Sequence, residues 1–427
     1  MLIPSRFRVR RPRVRPEVVG TPEDPYAPLR FGPFRWFIVG LVPATLAQQI
    51  QAVVVGWQIY ALTHDPLALG LIGLSEALPF ISVALFAGHV ADRIDRRQVA
   101  LASLGVMLGC AATLFLLSFR LARGAPVWPI YLVVAIGGIA RSFLTPARNA
   151  LAAELVPREL YPRSTAWRSA AWQLAAVVGP AFGGLLYAFG SARLAYGVAT
   201  SLFLIGLVCL AQVRRVVAPV AIDATSVWES LSLGVRFVWT QPVLLGAMTL
   251  DLFSVLFGGA VALLPIFADE ILHVGPEGLG LMQAAPAAGA VLMSLVLTHR
   301  PPMRRAGRSL FIAVAGFGVA IIGFAVSRSF PLSLALLAAS GMLDMVSVVI
   351  RSTLLQVFTP PQLLGRVSSV NSIFIGSSNE IGAFESGVAA KLLGTIPAVL
   401  FGGTMTLLVV VATAWRNPHL RRLREIQ

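Results

Sequence analysis

Five ionisable residues stand in the middle of long apolar runs: Glu76, Arg141, Asp251, Asp344 and Glu380. Inside a bilayer a charge is expensive and is kept only where it faces a cavity or a partner, so each is a functional-site hypothesis. A carboxylate withdrawn from water is a group that can exchange a proton, which makes Asp251, Glu76, Asp344 and Glu380 the candidates for proton coupling. Arginine stays charged at any working pH, so Arg141 suits an anionic group on a ligand or a carboxylate partner that changes as a cycle turns. Helical spacing groups further residues with these. Asp344, Ser347 and Arg351 fall at i, i+3 and i+7 and share one face; Arg141, Thr145 and Arg148 repeat the arrangement, and Gln48, Gln51 and Gln58 share a third face with Trp57 beside it. Ser254, just after Asp251, joins Gln48, Gln51, Trp57, Gln58, Arg141, Thr145 and Ser347 as a cavity candidate, while Arg148, Arg351 and Glu385 are expected at contacts near a gate. For every one of them a static ion pair or polar contact between helices is the alternative.

The elements that must position these groups follow from the composition. Of 427 residues 57% are hydrophobic and only 12% charged, and the mean hydropathy is +0.80, far from the quarter charged of soluble domains. This is an all-α membrane protein. Runs of about twenty apolar residues, the length that crosses the hydrocarbon core, recur near 36–62, 67–91, 98–119, 128–152, 165–189, 194–213, 241–267, 276–298, 309–327, 331–356, 369–392 and 396–415, about twelve spans. Cys110 and Cys209 lie inside such runs and form no disulfide framework or metal motif.

The formal charge of +15 comes from 34 Lys and Arg against 19 Asp and Glu, and Lys391 is the only lysine. A basic excess can signal nucleic acid, but here the hydropathy assigns it to the membrane, where cations near span ends are held in the cytoplasm. Alternate loops carry nearly all the arginines, beginning with the basic arm Arg6–Arg35; the other loops hold only Arg120, Arg123, Arg193 and Arg328. The pattern places both termini in the cytoplasm of a protein of the inner membrane. The opening RFRVRRPRVR is expected to be a cytoplasmic arm rather than a targeting signal, since no short apolar core with a cleavage site follows it.

An internal repeat divides the chain. A shift of 203 positions superposes Arg148 on Arg351, Pro157 on Pro360, Arg163 on Arg366, Gly179 on Gly382 and Gly184 on Gly387; Leu69-Gly70-Leu71 matches Leu279-Gly280-Leu281 at a shift of 210. The expected organisation is an arm over 1–35, a six-span half over 36–213, a cytoplasmic linker with an interfacial helix over 214–240, a second half over 241–415 and a tail over 416–427. Two such halves, related by pseudo-two-fold symmetry, are the plan of a secondary transporter with its site near the midplane.

Between the second and third spans stands GHVADRIDRR, in which Gly88, Asp92, Arg93, Arg96 and Arg97 occupy the key positions of G-x-x-x-D-R-x-G-R-R, with Asp95 in place of the second glycine. This resembles the signature of the major facilitator superfamily. The resemblance implies that the loop latches the two halves in one state of an alternating-access cycle, with Asp92 and Arg93 as gating residues, and that spans one, four, seven and ten line the central cavity. The fifth span carries Gly179, Pro180, Gly183 and Gly184, similar to the GP-x-x-GG motif of proton-coupled exporters, although Ala175 replaces an expected glycine. Beyond these motifs, QIQAVVVGWQIYALTHDPLALGLIGL, RSFLTPARNALAAELVPRE and VWESLSLGVRFVW resemble the branch that contains siderophore and macrolide exporters, which implies outward, proton-driven movement of a bulky amphipathic molecule.

The expected partners are therefore a small-molecule substrate, protons and the lipid bilayer, with no nucleic acid and no cofactor or metal, in a monomer. An importer, or a lysophospholipid or metabolite transporter, on the same fold is the nearest alternative. A membrane metalloprotease would need a motif such as H-E-x-x-H, and the five histidines are scattered. No G-x-x-x-x-G-K-[ST] loop is present for direct use of ATP. A channel has no need of carboxylates in both halves or of a latch.

Overall fold

A computed structural model describes residues 24–213, 227–299, 305–360 and 363–423, without the side chains of residues 84, 85, 88–93, 227–231 and 369. Backbone polar groups in hydrocarbon must be satisfied within the chain, and helices do this segment by segment. The long helices are α1 (Gly32–Thr63), α2 (Pro66–Arg93), α3 (Arg96–Leu121), α4 (Trp128–Glu154), α5 (Tyr161–Ala211), α6 (Val227–Thr240), α7 (Pro242–Phe257), α8 (Gly275–Thr298), α9 (Ala306–Val326), α10 (Phe330–Phe358), α11 (Leu364–Leu393) and α12 (Thr395–Arg416). Proline stands in the first turn of α1, α4, α5, α7, α8 and α10, where its missing N–H costs nothing and its fixed φ favours helix.

Three elements depart from the simple reading of the sequence. The fifth and sixth spans are not joined by a loop: α5 is one run of 51 residues that turns at Ser191, whose φ of 64° and ψ of 179° is a backbone conformation normally left to glycine. The seventh span is broken rather than continuous to residue 267. Helix α7 ends at Phe257, Gly258 caps it by donating to the Ser254 carbonyl, and the chain proceeds through short turns to Ile271. Finally, length and apolarity mark ten candidate spans among the described residues, with α5 counted as one and α11 not among them. Helix α11 carries Asn379, Glu380, Glu385 and Lys391, and this polar content lowers its hydropathy although its 30 residues suffice to cross. Counting both limbs of α5 and including α11 gives the twelve.

Because the helices run up and down, one end of the bundle holds residue 24, the α2–α3 and α4–α5 junctions and the C-terminal segment; the other holds the α1–α2, α8-entry, α9–α10 and α11–α12 turns. One buried apolar cluster draws its residues from 27–213 and another from 238–420. A third joins Val53, Trp57, Tyr60 and Leu69 to Leu263, Phe267, Leu279 and Phe324, toward the end away from the termini. Across the same divide α2 packs on α11 and α5 on α8. A Cβ at Gly70 would stand 3.0 Å from the Gly387 Cα, and one at Gly184 would stand 3.0 Å from the Gly280 Cα. The two contacts are related by the internal repeat: the matched glycines of the sequence meet crosswise.

Candidate functional site

A cavity of about 460 Å³, termed the major cavity, lies among these helices and is within the usual range for small-molecule sites. Its walls come from α7, α8, α9, α10 and α11, closed on one side by α1 and α2. Among the described residues every ionisable side chain that lines it is acidic: Asp251, Asp344 and Glu380. Ser254, Gln283, Ser340, Ser347 and Asn379 add uncharged polar groups, and the remainder is largely apolar, with Phe317 the one aromatic ring among the described residues. The break in α7 contributes Gly258, Gly259, Val261 and Ala262. Irregular backbone is tolerated at membrane depth where it borders such a cavity.

Two of these carboxylates have arginine partners. Arg351, four positions after Ser347 on α10, pairs with Asp251 on α7, and both are nearly withdrawn from solvent, at 7% and 8% side-chain exposure. Arg141 on α4 reaches two carboxylates at once. Its Nη1 lies 2.8 Å from Glu76 Oε1, and its Nη2 donates to Glu380 Oε1 at 2.9 Å. The guanidinium also sits 5.8 Å from the centre of the Phe80 ring, near enough for a cation–π contribution.

Small residues fix this triad. Gly138 lets α4 approach α2 so closely that a Cβ would stand 3.1 Å from the Glu76 carbonyl, and Arg141 follows one turn later. On the other side of α2 a Cβ at Gly73 would stand 2.7 Å from the Glu380 carbonyl. The triad therefore joins both halves at the point where α2, α4 and α11 converge. Asp344 differs from the other three carboxylates: no hydrogen bond or ion pair holds it among the described residues, and the neighbouring Ser347 hydroxyl is buried without a partner.

The remaining residues singled out by sequence fall elsewhere. Gln48 turns into the first half, its Nε2 donating to Met107 Sδ at 3.6 Å, and Gln58 accepts from the buried Tyr196 hydroxyl at 2.8 Å. Trp57 is buried edge-on to Tyr187. Gln51 keeps a buried amide oxygen without a hydrogen-bond donor among the described residues, and Thr145 donates back to the Arg141 carbonyl at 3.1 Å. None of these five borders the major cavity. The face that α1 turns toward it is instead Ala52 and Gly56, which hydropathy alone could not single out.

Arg148 borders a separate small recess between α1, α3, α4 and α5, and Arg351 is committed to Asp251. Glu385 does not join them. It lies past the middle of α11 toward Leu393, whereas Arg148 and Arg351 lie near the ends of α4 and α10 on the side of the termini. The expected three-residue gate is therefore not assembled.

The backbone of Gly88, Asp92 and Arg93 belongs to α2, and their side chains lie outside the described residues. Arg96 pairs with Glu154 at the end of α4, and Arg97 donates to the Ala211 carbonyl at 2.7 Å. Asp95 caps α3 by accepting from the Arg97 amide, a use of the residue that departs from the glycine pattern. The α5 motif is a packing junction. A Cβ at Gly179 would collide with Gln49 and one at Gly183 would stand 3.1 Å from the Ile50 Cα, both on α1, while Gly184 meets α8.

Two cross-half links were not singled out by sequence. Lys391 Nζ lies 3.0 Å from Asp65 Oδ2, and the Tyr60 hydroxyl donates to Glu270. Both join the halves at the end away from the termini. Burial works against the Asp65 carboxylate, but the Lys391 hydrogen bond, the Leu67 amide and the Lys391 charge outweigh it and hold its pKa below the ordinary value. The only lysine of the chain was the available signal for this pair.

Two sets of long apolar helices around a largely apolar cavity that carries three carboxylates are the architecture of a multi-pass membrane transporter. Residues 34–383 match the family model of the Major Facilitator Superfamily, and the chain belongs to that superfamily. Among its curated relatives are the enterobactin exporter EntS of Shigella flexneri, 27% identical over 370 residues, covering 86% of this chain and 87% of that one, and EntS of Escherichia coli O1:K1 / APEC, 26% identical with 86% and 88% covered. Among solved structures, a bacterial homologue of the human lysosomal transporter Spinster, inward-facing and unoccupied, aligns with a TM-score of 0.70 at 14% identity over 91% of this chain and 95% of that chain. The nucleoside transporter NupG aligns at 0.70 and 12%, over 90% and 99%. At these identities the structural likenesses speak to the fold alone. The family is one of transporters and not of enzymes.

Proposed function

We propose that this protein is a proton-coupled exporter of amphipathic small molecules, working by alternating access in the inner membrane with both termini in the cytoplasm. The observation that carries this reading is the difference among the cavity carboxylates: Asp251 is paired with Arg351, Glu380 shares Arg141 with Glu76, and Asp344 faces the cavity with no cation beside it among the described residues. A lone carboxylate on a cavity wall can hold a proton or a substrate, but not freely both, and that exclusion is the basis of exchange.

The Glu76–Arg141–Glu380 triad is the second moving part. Protonation of Glu380 weakens its pull on the Arg141 guanidinium, which then rests with Glu76 in its own half, so a proton alters the bond between the halves 36–213 and 241–415. The end closed by Gly70–Gly387, Gly184–Gly280, Asp65–Lys391 and Tyr60–Glu270 is the outer one in this reading, and the arrangement is inward-facing. Asp251 and Arg351 form a fixed strut between α7 and α10. The exporter relatives, together with the α5 motif, support outward movement. In liposomes containing the purified protein, efflux of a hydrophobic dye should require an imposed proton gradient; flux indifferent to the gradient contradicts the coupling.

A further inference from the structure

We infer that the cavity selects cationic amphipaths, such as lipophilic amines and phosphonium or quaternary ammonium compounds, over anionic ones of the same shape. The inference rests on the reading of this cavity as the substrate site and names its substrate class.

The charge of the wall decides it. No arginine, lysine or histidine lines the cavity among the described residues, whereas Asp251, Asp344 and Glu380 do. Two arginines offset them: the buried Arg351 cancels Asp251, and the partly exposed Arg141 cancels one charge of the Glu76 and Glu380 pair. With its carboxylates ionised, the site therefore keeps an excess negative charge at Asp344 and in the triad. An anion entering it would meet four carboxylates against two arginines already engaged by them, and in a site of low dielectric that net repulsion is weakly screened.

Phe317 presents an aromatic ring to the lining, and aromatic faces attract organic cations. The apolar surface of Ile72, Val255, Ile321 and Leu337 accommodates a hydrophobic body around the charge. Asp344 then binds either the substrate cation or a proton, which ties the substrate class to the exchange proposed above.

Tetraphenylphosphonium and tetraphenylborate have the same shape and opposite charge, and their saturable binding to the full-length protein in detergent tests the inference without any gradient. The cation is expected to bind and the anion to be at least about tenfold weaker. Asp344→Asn is expected to weaken the cation by about the same factor, and Asp344→Glu to retain it. Equal or tighter binding of tetraphenylborate, absence of saturable cation binding, or an unchanged affinity in Asp344→Asn overturns the assignment. If Asp344→Asn fails to run as a monodisperse species, the comparison of the two ions on the wild type and on Asp344→Glu decides alone. Gradient-driven flux of a neutral or anionic solute in a protein that does not bind tetraphenylphosphonium would leave the transport reading standing and remove this one.

Discussion

Arg141 and Glu380 are 239 positions apart in the chain and 2.9 Å apart in space, and the bond between them ties the first half of the protein to the second. Glu76 holds the same guanidinium from within the first half. If the three act as a unit, their substitutions cannot be additive. Arg141→Gln leaves two carboxylates facing each other, whereas Arg141→Gln combined with Glu380→Gln leaves one, so the double variant should be less destabilised than the sum of the singles by about 0.5–3 kcal/mol. Thermal unfolding of the four proteins in one detergent reads this coupling, and additive effects would show that the contact carries no energy between the halves.

The Asp251–Arg351 strut gives the opposite kind of test. Removing one member of a buried pair strands the other and costs about 3–5 kcal/mol, while replacing both with apolar residues is often neutral. Asp251→Asn should therefore melt well below the wild type, and Asp251→Leu with Arg351→Met should recover most of the loss. Proton-coupled flux should survive in that double variant. Its loss in a stable double variant would return Asp251 to the role of proton carrier.

Gly70 meets Gly387 with no room for a side chain. Gly70→Leu should hold that end of the protein apart. Since Cys110 and Cys209 are both buried, a cysteine at the cavity residue Ala52 can be followed with a membrane-impermeant maleimide against a low background. In the parent it should label from the side of the termini, and in the Gly70→Leu background from the opposite side as well. Unchanged sidedness would show that the glycine contact does not control access.

The Asp65–Lys391 clasp should be sensitive to acid. The folded pKa of Asp65 is lowered, so the pair contributes above the ordinary Asp value of about 3.9 and its contribution disappears as pH falls through the lowered folded value. At neutral pH Asp65→Asn and Lys391→Met should each lower the thermal midpoint in detergent, by a small amount because both groups are partly exposed. The shift should vanish at a pH below the folded value. An effect of Lys391→Met that is as large there as at neutrality would exclude the ion pair as its cause.

The number of crossings was legible in the sequence because apolar length is a direct consequence of bilayer thickness, and the repeat was legible because Gly70, Gly184, Gly280 and Gly387 are held at backbone contacts that admit no Cβ. The carboxylates and arginines of the site were legible for the same reason that they are rare at such depth. Their pairing was not. Periodicity places Asp344 and Arg351 on one face of a helix, but whether Arg351 meets Asp344 or Asp251 depends on which helix packs there. The break after Phe257 was concealed by the apolar run that continues to residue 267, and the glutamines of α1 proved to face Met107 and Tyr196 in their own half. Helical faces can be read from spacing; what each face touches is a property of the assembled bundle.

If a proton and a cationic amphipath exchange at Asp344, the movement of ethidium into protein-containing liposomes with an acidic interior reports that exchange. Wild type and Asp344→Glu should accumulate the dye only while the pH gradient stands and release it when an uncoupler collapses that gradient, and Asp344→Asn should show no gradient-driven accumulation at all. Accumulation that persists without a gradient, or gradient-driven uptake by Asp344→Asn equal to that of the wild type, would contradict the account.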